Sequence, residues 1–440
     1  MLSKKLSRRD FLVSTLAMTG AAALAACAAP AGTSDEAEGG ASTEPITILF
    51  HSRLGTHADW HVSRIPLFEE QNPGLKLEVD ELPGNEMYPK IYALAASGTV
   101  GDVVWTYLDN PPEHKAKGVM IDLDDIIEAK AFDLSQFWQS LLQALTLDGK
   151  LQAIPNHGHY GTTSYYFNRS MYEEAGVELP APEWTVSDLV SGAQAMTASP
   201  EIWGFRANGG GAEHMASYLR TFGGNFMDAE GVKCLFDQDE SIQALRWLYD
   251  LQHEYEVDPC ICGTDTANNF TAGQVGCFNW TTGYTATFYA QPAEEWTFEW
   301  DVMVPPVGPT GLRGSQVSAA AFCITGNSTH PFEAFQVLDF FSTKEDGIEH
   351  VFFGAGSPGG RQDVWESEEL NSIHPIYRMH AEAFPDGPQP WYRAANARVG
   401  EFSDTMNNNL QAIWTDSIGF DEGVTQLYTL CQEVLDKDPL

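Results

Sequence analysis

Basic side chains are what this sequence has least of. It carries 24 Lys and Arg against 61 Asp and Glu, a formal net charge of −37 over 440 residues. A surface so negative repels phosphate backbones, which argues against a nucleic-acid partner and disfavours anionic ligands outside a local basic pocket. Several catalytic signatures are missing as well. There is no G-x-S-x-G and no papain-type cysteine block, which removes the usual signatures of serine and cysteine hydrolases. The one His pair at helical spacing, His57 and His61, reads HADWH, so the base that a zinc hydrolase needs beside its first His is absent. The glycine run Gly209-Gly210-Gly211 neither follows G-x-G-x-x-G nor closes on a Lys, so it is a loop and not a phosphate cradle. No internal repeat is visible, and no pair among the many carboxylates stands out for glycoside hydrolysis.

Cysteines are few, seven in all, and Cys27 lies in the leader. The other six allow up to three bridges with fifteen pairings, among which sequence does not choose. Cys260-Ile-Cys262 has no second pair to complete a zinc site, and no metal or cofactor is expected.

What is there begins with a leader. Lys4, Lys5, Arg8 and Arg9 precede an apolar run, Phe11 to Ala26, too short for a comfortable bilayer span. Ser7-Arg8-Arg9-Asp10-Phe11-Leu12 resembles the twin-arginine export motif, and Leu24-Ala25-Ala26-Cys27 resembles a lipobox, with Cys27 as the lipidated residue. Residues 28–44 are small and polar and cannot bury enough surface to order themselves, so they read as a tether.

From Ile46 the pattern alternates. Apolar strands at Ile46–Phe50, Leu75–Val79 and Val103–Trp105 are separated by helical stretches, and this β-α-β-α-β order predicts a doubly wound α/β sheet. A chain of this length exceeds one ordinary core and implies two domains. The stretch Asp148–Leu189 holds the junction: an extended segment to Pro155, a strand Thr163–Phe167, then a short helix from Ser170 that stops at Gly176. The prolines of PAPEW cannot propagate that helix, and a new one is capped by Thr185 or Ser187.

GKLQAIP followed by YYFNRSMYEEAGVELPAPEWTVSDL resembles the middle block of the family 1 extracellular solute-binding proteins, the maltose- and oligosaccharide-binding components of bacterial ABC importers. FEEQNPGLKLEV, ASGTVGDVV, FTAGQVGCFNW and STHPFEAFQVLDFFS match further family blocks, with Gly101 where most members have Pro and Cys277 where they have Met. The resemblance implies a two-lobed periplasmic-binding-protein-like fold, its doubly wound sheets joined by a multi-strand hinge. Lobe 1 would comprise 45–157 and 307–358, and lobe 2 158–306 and 359–440. It implies a carbohydrate ligand, ABC permease subunits as partners, a monomer held to the membrane by its lipid, and no enzymatic activity.

Ligands of open α/β sheets sit outside the carboxyl ends of the strands. Ser52, Arg53 and Asp109 follow strands in this way, and His159 and Tyr160 lie at the first crossing. Glu213 and His214 follow the glycine run, Trp280 and Tyr284 follow the F-x-x-G block, and Trp391 and Tyr392 follow a proline-rich turn. These eleven are the candidate ligand contacts. Two alternatives remain: a glycerol-phosphate or other polar solute, which would require Arg53, Arg206 and Arg393 to converge, and a secreted glycoside hydrolase.

Overall fold

The computed structural model describes residues 44–440, apart from Asn85, Asp109, 157–162, 210–211, 262–265, 317–319, Ala355, Asp386, Pro388 and 390–392; of the side chains at 212, 213 and 266 nothing is described. The leader and residues 28–43 of the tether, with Cys27, lie outside the described residues.

Eleven strands are named in chain order. The first three are β1 (Ile46–Arg53), β2 (Leu75–Leu82) and β3 (Val103–Tyr107), the three expected from the alternating pattern. A small hairpin follows, β4 (Thr146–Leu147) and β5 (Lys150–Leu151), then β6 (Ile154–Pro155). Next come β7 (Thr163–Asn168), β8 (Trp203–Arg206), β9 (Val275–Thr281) and β10 (Trp300–Met303), and last β11 (Ala320–Ile324). They form two main sheets, ordered β2-β1-β3-β11-β6 and β10-β7-β9-β8. In the first, β1 pairs in parallel with β2 and β3, while β11 runs antiparallel to β3 and to β6. In the second, β7 is antiparallel to both neighbours and β8 is parallel to β9.

Local chemistry explains the junction stretch. Gly149 and Gly176 both take left-handed φ, +75° and +67°, where a side chain would be strained. Asn168 caps the helix Arg169–Glu174 by accepting from the Met171 amide, one residue earlier than the sequence pattern placed the start. Thr185 caps Val186–Met196 in a reciprocal capping box with Asp188. Pro66 stands inside an unbroken helix, Thr56–Gln71.

β7 is buried along its whole length, so its aromatic residues Tyr165, Tyr166 and Phe167 follow one another instead of alternating with polar ones. Tyr165 and Phe167 face one core, with Phe205, Trp247 and the C-terminal helices Val399–Trp414 and Phe420–Leu435. Tyr166 faces the other way and packs on Phe278 and Phe288. The first sheet buries Ile48, Phe50, Trp105 and Phe322 beneath the helix Pro331–Phe340. Helix Gln362–Trp365 joins this side, with the Trp365 and Trp138 rings 5.2 Å apart. Among the described cysteines, Cys234, Cys277, Cys323 and Cys431 are buried free thiols, and Cys260 is disulfide-bonded. No helix of the described residues is long and apolar enough to cross a membrane.

Candidate functional site

The strand directions fix where a ligand can be reached from both sheets. β1, β2 and β3 end at Arg53, Leu82 and Tyr107; β11 begins opposite Tyr107, and β6 ends at Pro155 opposite Ala321. The chain therefore leaves the first sheet through β6 and returns through β11 at its carboxyl edge. In the second sheet β7 starts at Thr163 opposite Thr281, the carboxyl end of β9, and β8 runs parallel to β9. The carboxyl ends of both sheets thus face the same crossings, the arrangement that places ligands at strand ends in α/β folds.

On the second side, three rings meet at this edge. Trp280 pairs with Ser164, one residue from the crossing. Its indole lies 5.2 Å from the His214 ring, tilted by 30°, and 5.6 Å from Tyr284, nearly perpendicular. Trp280 and Tyr284 are only partly buried. His214 is buried, and the loss of water around it lowers its pKa to about 3, so it stays a neutral imidazole. Neither Trp280 Nε1 nor His214 Nδ1 has a partner among the described residues.

Three buried side-chain amides lie near the ends of the strands that lead to the crossings. Asn279 faces away from Trp280 along the strand; its Oδ1 accepts from the Asn208 amide at 2.9 Å and from the Tyr218 hydroxyl, while its Nδ2 has no protein partner. Asn156, immediately after β6, donates its backbone N–H to the Ala320 carbonyl, yet both side-chain polar atoms are buried and without a partner among the described residues. Gln316, before β11, is buried in the same condition. Buried polar atoms nearly always have partners, which makes these amides candidates for polar ligand contacts. Sequence reasoning missed these amides. The signal was present for Asn279, a residue type that strands disfavour, set inside the apolar run VGCFNWT.

The remaining candidates are distributed as follows. Arg53 lies at the end of β1 against Gly84, where even a Cβ would approach its Nε to 2.8 Å. It has no ion-pair partner among the described residues. Ser52 is fully buried, and its hydroxyl shares a 2.8 Å hydrogen bond with His61 Nδ1, which directs it into the first core. His57 and His61 are both core rings, near Trp105 and Phe50. Asp109, His159, Tyr160, Trp391 and Tyr392 lie outside the described residues, as does the side chain of Glu213. Of the arginines a phosphorylated ligand would need, Arg206 is paired with the buried Asp258 at 3.2 Å. Arg393 donates to the Ala144 and Thr146 carbonyls at 3.0 and 2.9 Å. Neither is available to converge with Arg53. Among the described residues no group of three or more His, Cys, Asp or Glu side chains is placed to hold a metal.

Comparison with known proteins agrees with this geometry. The chain is 24% identical over 287 residues to a binding protein of Brucella abortus (strain 2308), covering 63% of this chain and 67% of the relative. It is 21% identical over 354 residues to the arabinooligosaccharide-binding protein of Halalkalibacterium halodurans, covering 76% of each. In fold it is similar to an ABC substrate-binding protein of Listeria monocytogenes solved in complex with cycloalternan, with a TM-score of 0.74 at 18% identity, over 89% of this chain and 99% of that one. These relatives are binding proteins, and the structural likeness establishes the two-lobed architecture. The profile of the bacterial extracellular solute-binding proteins matches residues 57–348, well over half of the sequence, and the chain belongs to that family.

Proposed function

We propose that this protein binds an oligosaccharide on the outer side of the cell membrane and presents it to the permease subunits of an ABC importer, without performing chemistry on it. The observation that carries this reading is the ring group Trp280, His214 and Tyr284, next to Asn279 on β9, whose buried Nδ2 has no partner among the described residues. A pyranose or furanose offers apolar C–H faces for the rings and a rim of hydroxyls for Asn156, Asn279 and Gln316. A neutral ligand suits a neutral His214. With Arg206 and Arg393 engaged elsewhere, a phosphorylated solute lacks the cations it requires. The names of two similar proteins, one binding arabinooligosaccharides and one solved with cycloalternan, point to the same ligand class.

Part of the proposal is a division into lobes at 157/158, 306/307 and 358/359. It is supported by the two sheets and by the crossings β6 to β7 and β10 to β11. Trp365 on Trp138 places the helix Gln362–Trp365 with the first core despite its position after the last boundary. Closure of the lobes would shift an existing equilibrium by as much as the ligand prefers the closed state. The test is isothermal calorimetry of the purified protein against arabino- and malto-oligosaccharides, glycerol phosphates and polyols, with product analysis of each mixture. Saccharide binding without products is expected. Binding of a glycerol phosphate alone, or sugar cleavage, would replace this reading.

The proposal includes twin-arginine export, lipidation at Cys27 and a monomeric protein tethered by residues 28–44. Cys27→Ser should move the protein from the membrane fraction to the soluble one; equal retention of the variant would count against the anchor.

A further inference from the structure

One large cavity of the described residues does not lie at the crossings. It measures about 890 Å³ and lies at the other end of the second sheet, where Trp300 at the start of β10 pairs with Asn168 at the end of β7. Trp280 is paired four residues earlier along the same strand, with Ser164. At about 3.3 Å per residue the two places are roughly 13 Å apart along the strand.

Three indole and phenol rings form its wall. Trp300 lies 4.8 Å from Tyr289 and 5.3 Å from Trp296, with interplanar angles of 55° and 40°. Tyr289 is 43% exposed, unusual for so large a ring, and its ring stacks on His374 at 5.7 Å. The charged groups of the wall are paired with one another, one arginine among carboxylates, so the wall carries more negative than positive charge. Arg169 is 3.2 Å from Asp301 and 4.0 Å from both Glu299 and Glu173. His374 accepts from the Ile376 amide at Nδ1 and bonds Asp301 through Nε2 at 2.9 Å. Burial pulls the Asp301 pKa up, but His374, the Val302 amide and Arg169 together hold it below the usual value, so the carboxylate stays ionised and occupied.

That arrangement selects a ligand class. An anion meets an arginine already surrounded by carboxylates, and at Asp301 a cation meets a carboxylate already held by Arg169 and His374. What is left for a ligand is ring faces, with Gln291 and the exposed Glu299 at the rim. Those are contacts for a molecule with apolar C–H faces and neutral hydroxyls, and the volume admits more than one sugar ring. We infer that the cavity bounded by Tyr289, Trp296 and Trp300 is a second saccharide-binding site, separate from the one at the crossings, that holds a neutral glycan chain. The choice of saccharide rests in part on the reading of the crossing site. A chain held there would raise the local concentration of its free end near the membrane-tethered protein, where the gain depends on reach and not on a new contact at the crossings.

The test is native affinity electrophoresis in gels containing soluble starch or arabinan, with wild type, Trp280→Ala, Tyr289→Ala and Tyr289→Phe. Retardation of wild type and Trp280→Ala in at least one gel is expected, with about tenfold weaker binding for Tyr289→Ala and near-wild-type behaviour for Tyr289→Phe, which keeps the ring face. Absence of wild-type retardation in both gels overturns the inference. So does retardation that Trp280→Ala abolishes and Tyr289→Ala leaves unchanged. The crossing site is judged separately, by calorimetry of Trp280→Ala with short oligosaccharides, so that failure of one site is distinguishable from failure of the other.

Discussion

Trp280 sits one residue from the chain crossing, partly buried, with its indole nitrogen unpartnered and His214 beside it. Removing an indole of that size from a sugar face costs roughly 1–3 kcal/mol at about 25 cal/mol per Å², or about ten- to a hundred-fold in affinity. Removing a core Trp instead lowers folding stability by about 3–5 kcal/mol. Trp280→Ala is therefore expected to weaken oligosaccharide binding in calorimetry while the melting temperature of the ligand-free protein hardly changes. The opposite pair of results would assign Trp280 to the core and shift attention to Tyr284. Legibility in sequence was uneven at this scale. An aromatic after the F-x-x-G block was findable because the block has a fixed place in the chain. Ser52 illustrates the reverse: its position after a strand is the same as that of Arg53, but His61, nine residues away, takes its hydroxyl. Which of two adjacent residues faces the ligand depends on a helix packed over the strand, and the linear pattern does not contain that.

Two elements hold the junction in ways that can be measured. The capping box at Thr185 starts the helix after PAPEW, and its hydroxyl accepts from the Asp188 amide. Thr185→Ala should destabilise the protein by about 1 kcal/mol in urea unfolding with an unchanged slope; Thr185→Ser should restore most of it. Arg393 binds two carbonyls beside the β4–β5 hairpin, next to Leu145 of the first core, while the adjoining Ala394 belongs to the second. Its guanidinium thus ties the two cores. Arg393→Met is expected to increase the radius of gyration of the ligand-free protein in solution scattering, and saturating ligand should reverse that increase. A value identical to wild type would show that this tie does not set the lobe arrangement.

At the scale of the whole molecule, acidity shapes the pH response less than buried histidines do. His114, His214 and His380 are buried, and loss of water lowers each pKa to about 3 from an ordinary 6.5. The unfolded chain takes up these protons below 6.5 and the folded chain does not, so stability is complete above that pH and falls as pH drops toward 3. Asp258 works in the other direction: burial raises it to about 6, so the folded state gains a proton and some stability as pH falls through 6. Between pH 6 and 5, where most exposed carboxylates remain ionised, three histidines against one aspartate give a net loss of roughly 2–3 kcal/mol per pH unit. Denaturant midpoints measured across that window should fall accordingly. His114→Gln should flatten the slope, because His114 bonds Tyr92 and Thr106 as a neutral ring and loses nothing else on titration.

The sequence by itself determined the alternation of β1, β2 and β3 with helices, a hydroxyl cap at Thr185 or Ser187, of which the structure uses Thr185, and the stop at Gly176. These depend on apolar period, a hydroxyl and a positive φ, all of which act within a few residues. It also determined the family, because ordered blocks separated by glycine and proline survive as a linear pattern. Only the tertiary structure decided that β11 enters the first sheet between β3 and β6, and that the side-chain amides of Asn156, Asn279 and Gln316 are buried. It also decided that Arg206 and Arg393 are committed to Asp258 and to two carbonyls, and that Trp300, Trp296 and Tyr289 line a cavity at the far end of the second sheet. The physical reason is range. Capping and turn chemistry are local, whereas pairing, burial and ion-pair choice depend on residues separated by tens to hundreds of positions, which meet only when the sheets close around their cores.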